Sequence, residues 1–221
     1  MDLMDAIRSR HSVRSYTDQK IQGDTADSLR QLIEACNAES GLHIQLCLDE
    51  PEAFSGMMAR YGKFSNVRNY IALVGKKSDT LDEKCGYYGE KVVLRAQQLG
   101  LSTCWVAMSY SKGKSAAVTH AGEKQLMVIA LGYGQNSGSP HKGKSIQQLC
   151  QVEGELPSWF KMGMEAVQLA PTAMNQQKFS FELTGSKVKA TAGSGFYTKV
   201  DLGIARYHFE VGAGENDWQW V

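Results

Sequence analysis

The chain has 221 residues, 43% hydrophobic and 21% charged, proportions of an ordinary soluble globular protein with room for one large domain or two small ones. Twenty-four basic residues nearly cancel 23 acidic ones, for a net charge of +1, so no phosphate-backbone footprint for nucleic acid is expected. No apolar run approaches the length of a membrane span, and "MDLMDAIRSRHS" opens with acid and lacks the apolar core of a signal peptide, so a cytoplasmic protein is expected.

In chain order, "DLMDAIRSRHS" reads as a short helix with Leu3 and Ile7 on its apolar side. "DTADSLRQLIEACNAES" reads as a second helix, capped by Asp24 or Thr25, with Leu29, Leu32, Ile33 and Cys36 as its stripe. "LHIQLCLD" alternates and predicts a strand, whereas the continuous apolar run "NYIALVG" predicts a strand buried inside a sheet. "DEKCGYYGEKVVLRAQQLG" predicts a long helix ending at Gly100. "STCWVAM" is a loop or short strand, "KQLMVIALGYG" a buried strand, and "SIQQLCQ" a helical turn. "PSWFKMGMEAVQLAP" predicts a helix with Pro157 in its first turn. "KFSFELTGSKVKATAG" predicts a hairpin turning at Gly185, and "VDLGIARYHFEVGAG" a helix ended by Gly212 or Gly214.

The late segments look like the early ones. "IEAC" (33–36) matches "MEAV" (164–167), each on a helix leading into an alternating strand. Gly89 and the helix running on to "TCWV" match Gly203 and the helix running on to "WQWV". Either the chain carries an internal duplication with a truncated second copy, or two helix-then-strand segments are alike by chance. The connections differ, with "NAESG" in the first copy and the longer, glycine-free "PTAMNQQ" in the second.

Five cysteines (Cys36, Cys47, Cys85, Cys104 and Cys150) are scattered, which points to reduced thiols and not to disulfides or a metal centre. The five histidines show no metal-ligand spacing, and no metal is expected.

Three segments could carry chemistry. In "AIRSRHSVRSYTD", Arg8, Arg10, His11 and Arg14 are interleaved with Ser9, Ser12 and Ser15, forked donors and hydroxyls that suit a phosphomonoester. A solvated basic turn would read the same way. "GLSTCWVAMS" puts small residues and main-chain N–H groups beside an aromatic, a setting for a flat ligand or for core packing. "GYGQNSGSPHKGKS" follows a strand, but its third glycine is misplaced at Gly138 and no helix opens after it, so the dinucleotide-binding fingerprint is rejected. There is no P-loop and no Gly-x-Ser-x-Gly elbow.

Four blocks together resemble the nitroreductase-like FMN flavoprotein family. Residues 10–16, "RHSVRSY", are similar to its N-terminal Arg-Arg-Ser-x-Arg-x-[Tyr/Phe], departing at one position. "GLSTCWVAM", "KQLMVIALGYG" and "APTAMNQQKFSFEL" resemble three further family blocks, and "DLGIARYHFE" (201–210) resembles a C-terminal segment of one subgroup. The resemblance implies an α+β fold, three-layered as α/β/α around a central, mostly antiparallel sheet. It also implies that Arg10, Ser12 and Arg14 bind the FMN phosphate and ribityl chain, with His11 contributing main chain. Lys63, and more weakly Arg60, would meet the pyrimidine edge of the flavin ring. Val106, Ala107 and Met108 stand at the block whose main-chain N–H groups face flavin N5, with Ala107 and Met108 replacing a Gly-Gly. Lys142 and Lys144 resemble a late basic segment that reaches the phosphate. Pro171, Thr172, Met174, Asn175 and Gln177 would face the flavin, with Lys178 and Phe179 in place of the family's Pro and Trp.

Order is the departure. In typical homodimeric members the Asn-x-Gln loop lies early and serves the partner's flavin, whereas here it lies in the second copy. The expectation is therefore a monomer acting as a fused pseudo-dimer, or else a homodimer. Residues 1–150 would form the half carrying the phosphate segment, and residues 151–221 a truncated half-copy supplying the flavin-facing loop. The implied activity is an FMN-dependent oxidoreductase. It would transfer hydride from NADH or NADPH through flavin N5, in ping-pong order, to a nitro, quinone or similar small acceptor, with no catalytic side chain. The alternatives are a flavin-fragmenting or dehalogenating relative and a non-catalytic FMN carrier or sensor. Neither nucleic acid nor membrane is expected as a partner.

Overall fold

The computed structural model describes residues 1–152 and 154–221. Its elements are α1 (Leu3–Ser9), α2 (Asp24–Ser40), β1 (Gln45–Cys47), α3 (Met57–Tyr61), β2 (Asn69–Lys76), α4 (Leu81–Gln98), β3 (Ser102–Val106) and β4 (Glu123–Gly132). They continue with α5 (Ile146–Leu149), β5 (Cys150–Gln151), α6 (Ser158–Val167), β6 (Phe179–Thr184), β7 (Lys187–Ala192), α7 (Thr198–Ala213) and β8 (Gln219–Trp220). The fold is mixed α+β with mostly antiparallel sheet, in agreement with the class the resemblance implies. Two compact units share the chain, one gathering Ser9–Leu81 with Val92–Pro140 and the other Met1–Arg8, Asp82–Lys91 and His141–Val221. No helix among the described residues is long and apolar enough to cross a membrane.

The unit of Ser9–Leu81 and Val92–Pro140 is built on a sheet of order β1-β2-β4-β3, antiparallel throughout. Its middle strands are the two continuous apolar runs, and β2 is buried at every position except Lys76. Tyr16, Phe54, Tyr70, Val106, Tyr110 and Val128 belong to the core on this sheet. Helix α2 has the bounds the sequence predicts and buries Leu29, Ile33 and Cys36. Its cap differs from expectation: Gly23 is the N-cap, and no side chain serves. Asp24 lies one step too far along and instead places its charge in the first turn, at the positive end of the helix dipole. Strand β1 is shorter than its alternation suggests. The Asn37 amide takes both main-chain groups of Ile44, donating to its O at 2.9 Å and accepting from its N at 2.7 Å, so Ile44 is tied to α2.

The other unit has a sheet of order β5-β6-β7-β8. Strands β6 and β7 form the predicted hairpin, turning at Gly185 with φ 63°, while β5 and β8 add in parallel at the two edges. Aromatic rings fill its core: Phe181 stacks on Phe209 at 5.3 Å, and Trp159 on Trp218 at 6.1 Å. Helix α6 stops before Pro171, where its last N–H groups tighten, Leu169 donating to Ala166 and Ala170 to Val167. Helix α7 ends at Gly214, φ 64°, and not at Gly212. Beyond it "WQWV" is no helix but contains β8. Within this unit α7 crosses the Asp82–Lys91 part of α4 backbone to backbone. A Cβ on Gly86 would overlap the Val200 carbonyl, and one on Gly203 the Glu83 carbonyl.

Candidate functional site

In the first unit, residues 10–16 are pinned by main-chain bonds on both sides. Val13 N–H donates to Thr103 O at 3.0 Å, and Tyr16 N–H to Ser65 O at 3.2 Å. Val13 and Tyr16 anchor the segment in the core, and the Tyr16 hydroxyl donates to Val13 O at 2.6 Å. Arg10 is held almost completely inside, 4% exposed, an unusual place for a guanidinium. Arg14 is exposed, its guanidinium 5.8 Å from the Phe64 ring. The Ser12 side chain and the charges of Arg10 and Arg14 all act on the thiol of Cys104. Burial raises the Cys104 pKa, while the charge of Arg14, a hydrogen bond with Ser12 and the charge of Arg10 act against it. The thiol therefore stays protonated and neutral.

Two more expected segments lie beside this one. Ser65 N–H donates to Arg14 O at 2.9 Å, which ties the chain just after Lys63 to the arginine segment. Lys63 is exposed and left-handed, φ 60°, and its N–H donates to Arg60 O at 2.9 Å. Gly62 packs so closely on Ser109 that a Cβ would overlap its side chain, which brings residues 60–63 next to the end of the 106–108 stretch. There Val106 is buried, Ala107 half-buried and Met108 exposed. Met57 and Tyr61, each 84% exposed, add apolar surface on α3. A separate cavity of about 550 Å³ is lined by Ser9, His11, Gln97, Ser102, Tyr133 and Asn136 among others. Of the expected residues only His11 lines it, its Nδ1 donating to Ser137 O at 3.0 Å.

Pro171, Thr172, Met174, Asn175, Gln177, Lys142 and Lys144 all belong to the other unit. Met174, Asn175 and Gln177 are left-handed, at φ 50°, 54° and 45°. Such conformations cost about 1–3 kcal/mol each in non-glycine residues and persist only where the surroundings enforce them. Here Gln177, 2% exposed, does much of the enforcing. Its Oε1 accepts from Lys144 N at 2.7 Å, and its Nε2 donates to Lys142 O at 3.1 Å and Asn175 Oδ1 at 2.9 Å. Asn175 Nδ2 also donates to Lys142 O, at 2.7 Å, and Lys144 Nζ donates to Gln177 O at 2.8 Å. Asn175 and Gln177 thus brace the loop against residues 142–144, and Met174, 88% exposed, stands at its tip.

Asp201, which opens the "DLGIA" segment, was not singled out by the loop motif, yet it holds the loop's other side. Its Oδ1 accepts from Ala173 N at 2.9 Å and its Oδ2 from Gln176 Nε2 at 2.7 Å. Burial raises the Asp201 pKa, and these two bonds oppose the rise.

A family model described as "Putative TM nitroreductase" matches residues 2–213. Among solved structures, a putative nitroreductase of Thermotoga maritima is 24% identical with a TM-score of 0.68, covering 96% of this chain and 83% of that one. A putative nitroreductase of Desulfovibrio desulfuricans, solved in complex with FMN, is 20% identical with a TM-score of 0.54, over 71% of this chain and 99% of that one. A putative NADH dehydrogenase/NAD(P)H nitroreductase of Parabacteroides distasonis is 20% identical with a TM-score of 0.53, over 66% and 95%. No curated protein matches the sequence. At these identities the structural likenesses establish a shared fold.

Proposed function

The chain belongs to the nitroreductase family whose model spans residues 2–213, and from that membership we propose that it is an FMN-dependent oxidoreductase. The observation that carries the reading is that Arg10, Ser12 and Arg14 stand on one segment pinned by main-chain bonds to Thr103 and Ser65, beside residues 60–65 and 106–109. A buried guanidinium, a second guanidinium and a hydroxyl suit a phosphomonoester, and the exposed apolar Met57, Tyr61 and Met108 suit a planar ring. The donor set therefore fits FMN.

FMN, when bound, supplies the redox chemistry between NADH or NADPH and a nitro, quinone or similar small acceptor. In this reading Arg10, Ser12 and Arg14 hold its phosphate and ribityl chain, with His11 contributing main chain. Lys63 and Arg60 place positive charge at the pyrimidine edge, where electron density builds on reduction. Main-chain N–H groups of Ala107 and Met108, following Val106, serve the N5 side. Pro171, Thr172, Met174 and Asn175 are carried over as flavin-facing from the family resemblance of their loop. Gln177 acts through the shape of that loop, and Lys142 and Lys144 add positive charge beside it. The test is anaerobic addition of NADH or NADPH to FMN-loaded protein. Bleaching of the bound flavin by one of them is expected. Flavin that stays oxidised with both would sink the reductase reading and leave a carrier or sensor.

Residues 151–221 are proposed as a truncated second half-copy. Apart from the short α3 inserted between β1 and β2, the order helix, strand, strand, helix, strand of α2-β1-β2-α4-β3 occurs again in α6-β6-β7-α7-β8. The first copy has β4 between β2 and β3, whereas β8 lies directly on β7, which is what truncation would leave. The α4–α7 crossing supports a duplication with Gly203 matched to Gly86, three residues from the Gly89 of the sequence match, because its contacts are reciprocal. Gly86 meets the carbonyl three residues before Gly203, and Gly203 meets the carbonyl three residues before Gly86. Exchanging 90 with 207 and 91 with 208, the same offset, turns the His208–Glu90 hydrogen bond of 3.0 Å into the Lys91–Tyr207 cation–π contact of 5.8 Å. Two-fold related surfaces meet in this self-reciprocal way. The chain would then hold one flavin site and act as a monomer.

A further inference from the structure

Outside the residues assigned to FMN, the unit of Ser9–Leu81 and Val92–Pro140 gathers a second group of ligand-type side chains. Strands β1 and β4 both pair antiparallel with β2, so both begin at the same end of the sheet. His43 lies just before β1, its N–H donating to Val74 O at 2.8 Å. His120 and Glu123 bracket the turn that opens β4. Glu123 N–H donates to His120 O at 3.0 Å, and Gly122 at φ 82° occupies the third position, which calls for a left-handed residue. The turn sets the His120 and Glu123 side chains together, and Glu123 Oε2 accepts from His120 N at 2.8 Å. His43 Nδ1 lies 3.1 Å from the same oxygen. The two imidazoles stack at 5.0 Å with planes 6° apart.

We propose that His43, His120 and Glu123 form a binding site for a divalent transition ion of the zinc type. One ligand atom from each residue lies within 4.8 Å of the others. Two imidazoles and a carboxylate are a borderline N,N,O set, suited to zinc and its neighbours and too poor in oxygen for calcium or magnesium. In a tetrahedral site with bonds near 2.1 Å, ligand atoms stand about 3.5 Å apart; His43 and Glu123, at 3.1 Å, already meet that spacing, so the closing of about 1 Å falls to His120. His120 is exposed on its turn and can rotate to do so. Three protein ligands leave a fourth position for water. The separation of His43 from His120 in sequence is why no metal spacing is visible there.

The test is Zn²⁺ competition against a chromophoric chelator, with FMN-loaded protein. The expected result is one Zn²⁺ bound per chain, and affinity lower by about tenfold or more in His120→Ala and in Glu123→Gln. His120→Ala alters an exposed turn side chain, and retained FMN reports that the variant is folded. Co²⁺ in place of Zn²⁺ should show no sulfur-to-metal charge-transfer band. Absence of Zn²⁺ binding, equal binding in both variants, or a thiolate band pointing to the cysteines would overturn the proposal.

Discussion

Replacing Gly203 with alanine separates the reciprocal crossing from an ordinary helix contact. The new Cβ would lie 2.7 Å from Tyr87 N and 3.0 Å from the Glu83 carbonyl carbon, with the Glu83 oxygen nearer still. Real Cβ contacts are almost all beyond 3.4 Å, and every obstacle here is backbone. The helices must therefore part by about 1 Å, because no side chain can swing away. Overpacking of this kind costs about 1–3 kcal/mol and sometimes more, and a backbone obstacle belongs at the upper end. Alanine's better helix propensity returns about 1 kcal/mol. The net loss should be about 2 kcal/mol or more, or roughly 4–8 °C in Tm for a chain of this size. Gly86→Ala should cost a similar amount, since its Cβ meets the Val200 carbonyl carbon at 2.9 Å and Ile204 N at 3.1 Å. Gly113→Ala, facing open space, is the control. Urea denaturation of the three variants measures this. Wild-type stability in Gly203→Ala, or a large loss in only one of the pair, would refute the argument.

Other predictions follow from the site. Gln177→Ala removes three buried hydrogen bonds and should cost about 3 kcal/mol in urea unfolding, with weaker FMN retention. Asp201 keeps its proton to higher pH folded than unfolded, so its contribution to stability falls as pH rises from the ordinary carboxylate value, about 4, through its raised one. Asp201→Asn should remove that slope, seen as wild type gaining on the variant in urea midpoint as pH falls through that window; parallel midpoints would count against it. Arg10→Ala should lose about 1.5–3 kcal/mol of FMN affinity, through one charged hydrogen bond, and unchanged retention would remove Arg10 from the site.

Much of the fold could be read from local pattern. The bounds of α2, the apolar runs of β2 and β4, and the hairpin at Gly185 follow from periodicity and turn chemistry. What escaped was set by distant partners. The Asn37 amide shortens β1 from across a turn, and β8 is a strand only because β7 offers it an edge. The candidate site divides the same way. Its arginine and loop segments stand out as residue types at fixed spacing. That Gln177 turns inward to hold residues 142–144, that Asp201 braces the loop, and that His43 meets His120 depend on pairings no local window contains.

The central claim is one FMN site served by the arginine segment. The most direct measurement is the flavin released per chain from protein purified with excess FMN, by absorbance against amino-acid analysis. One FMN per chain, lost or weakened in Arg10→Ala, is the predicted result. Two flavins per chain, or none, would contradict it.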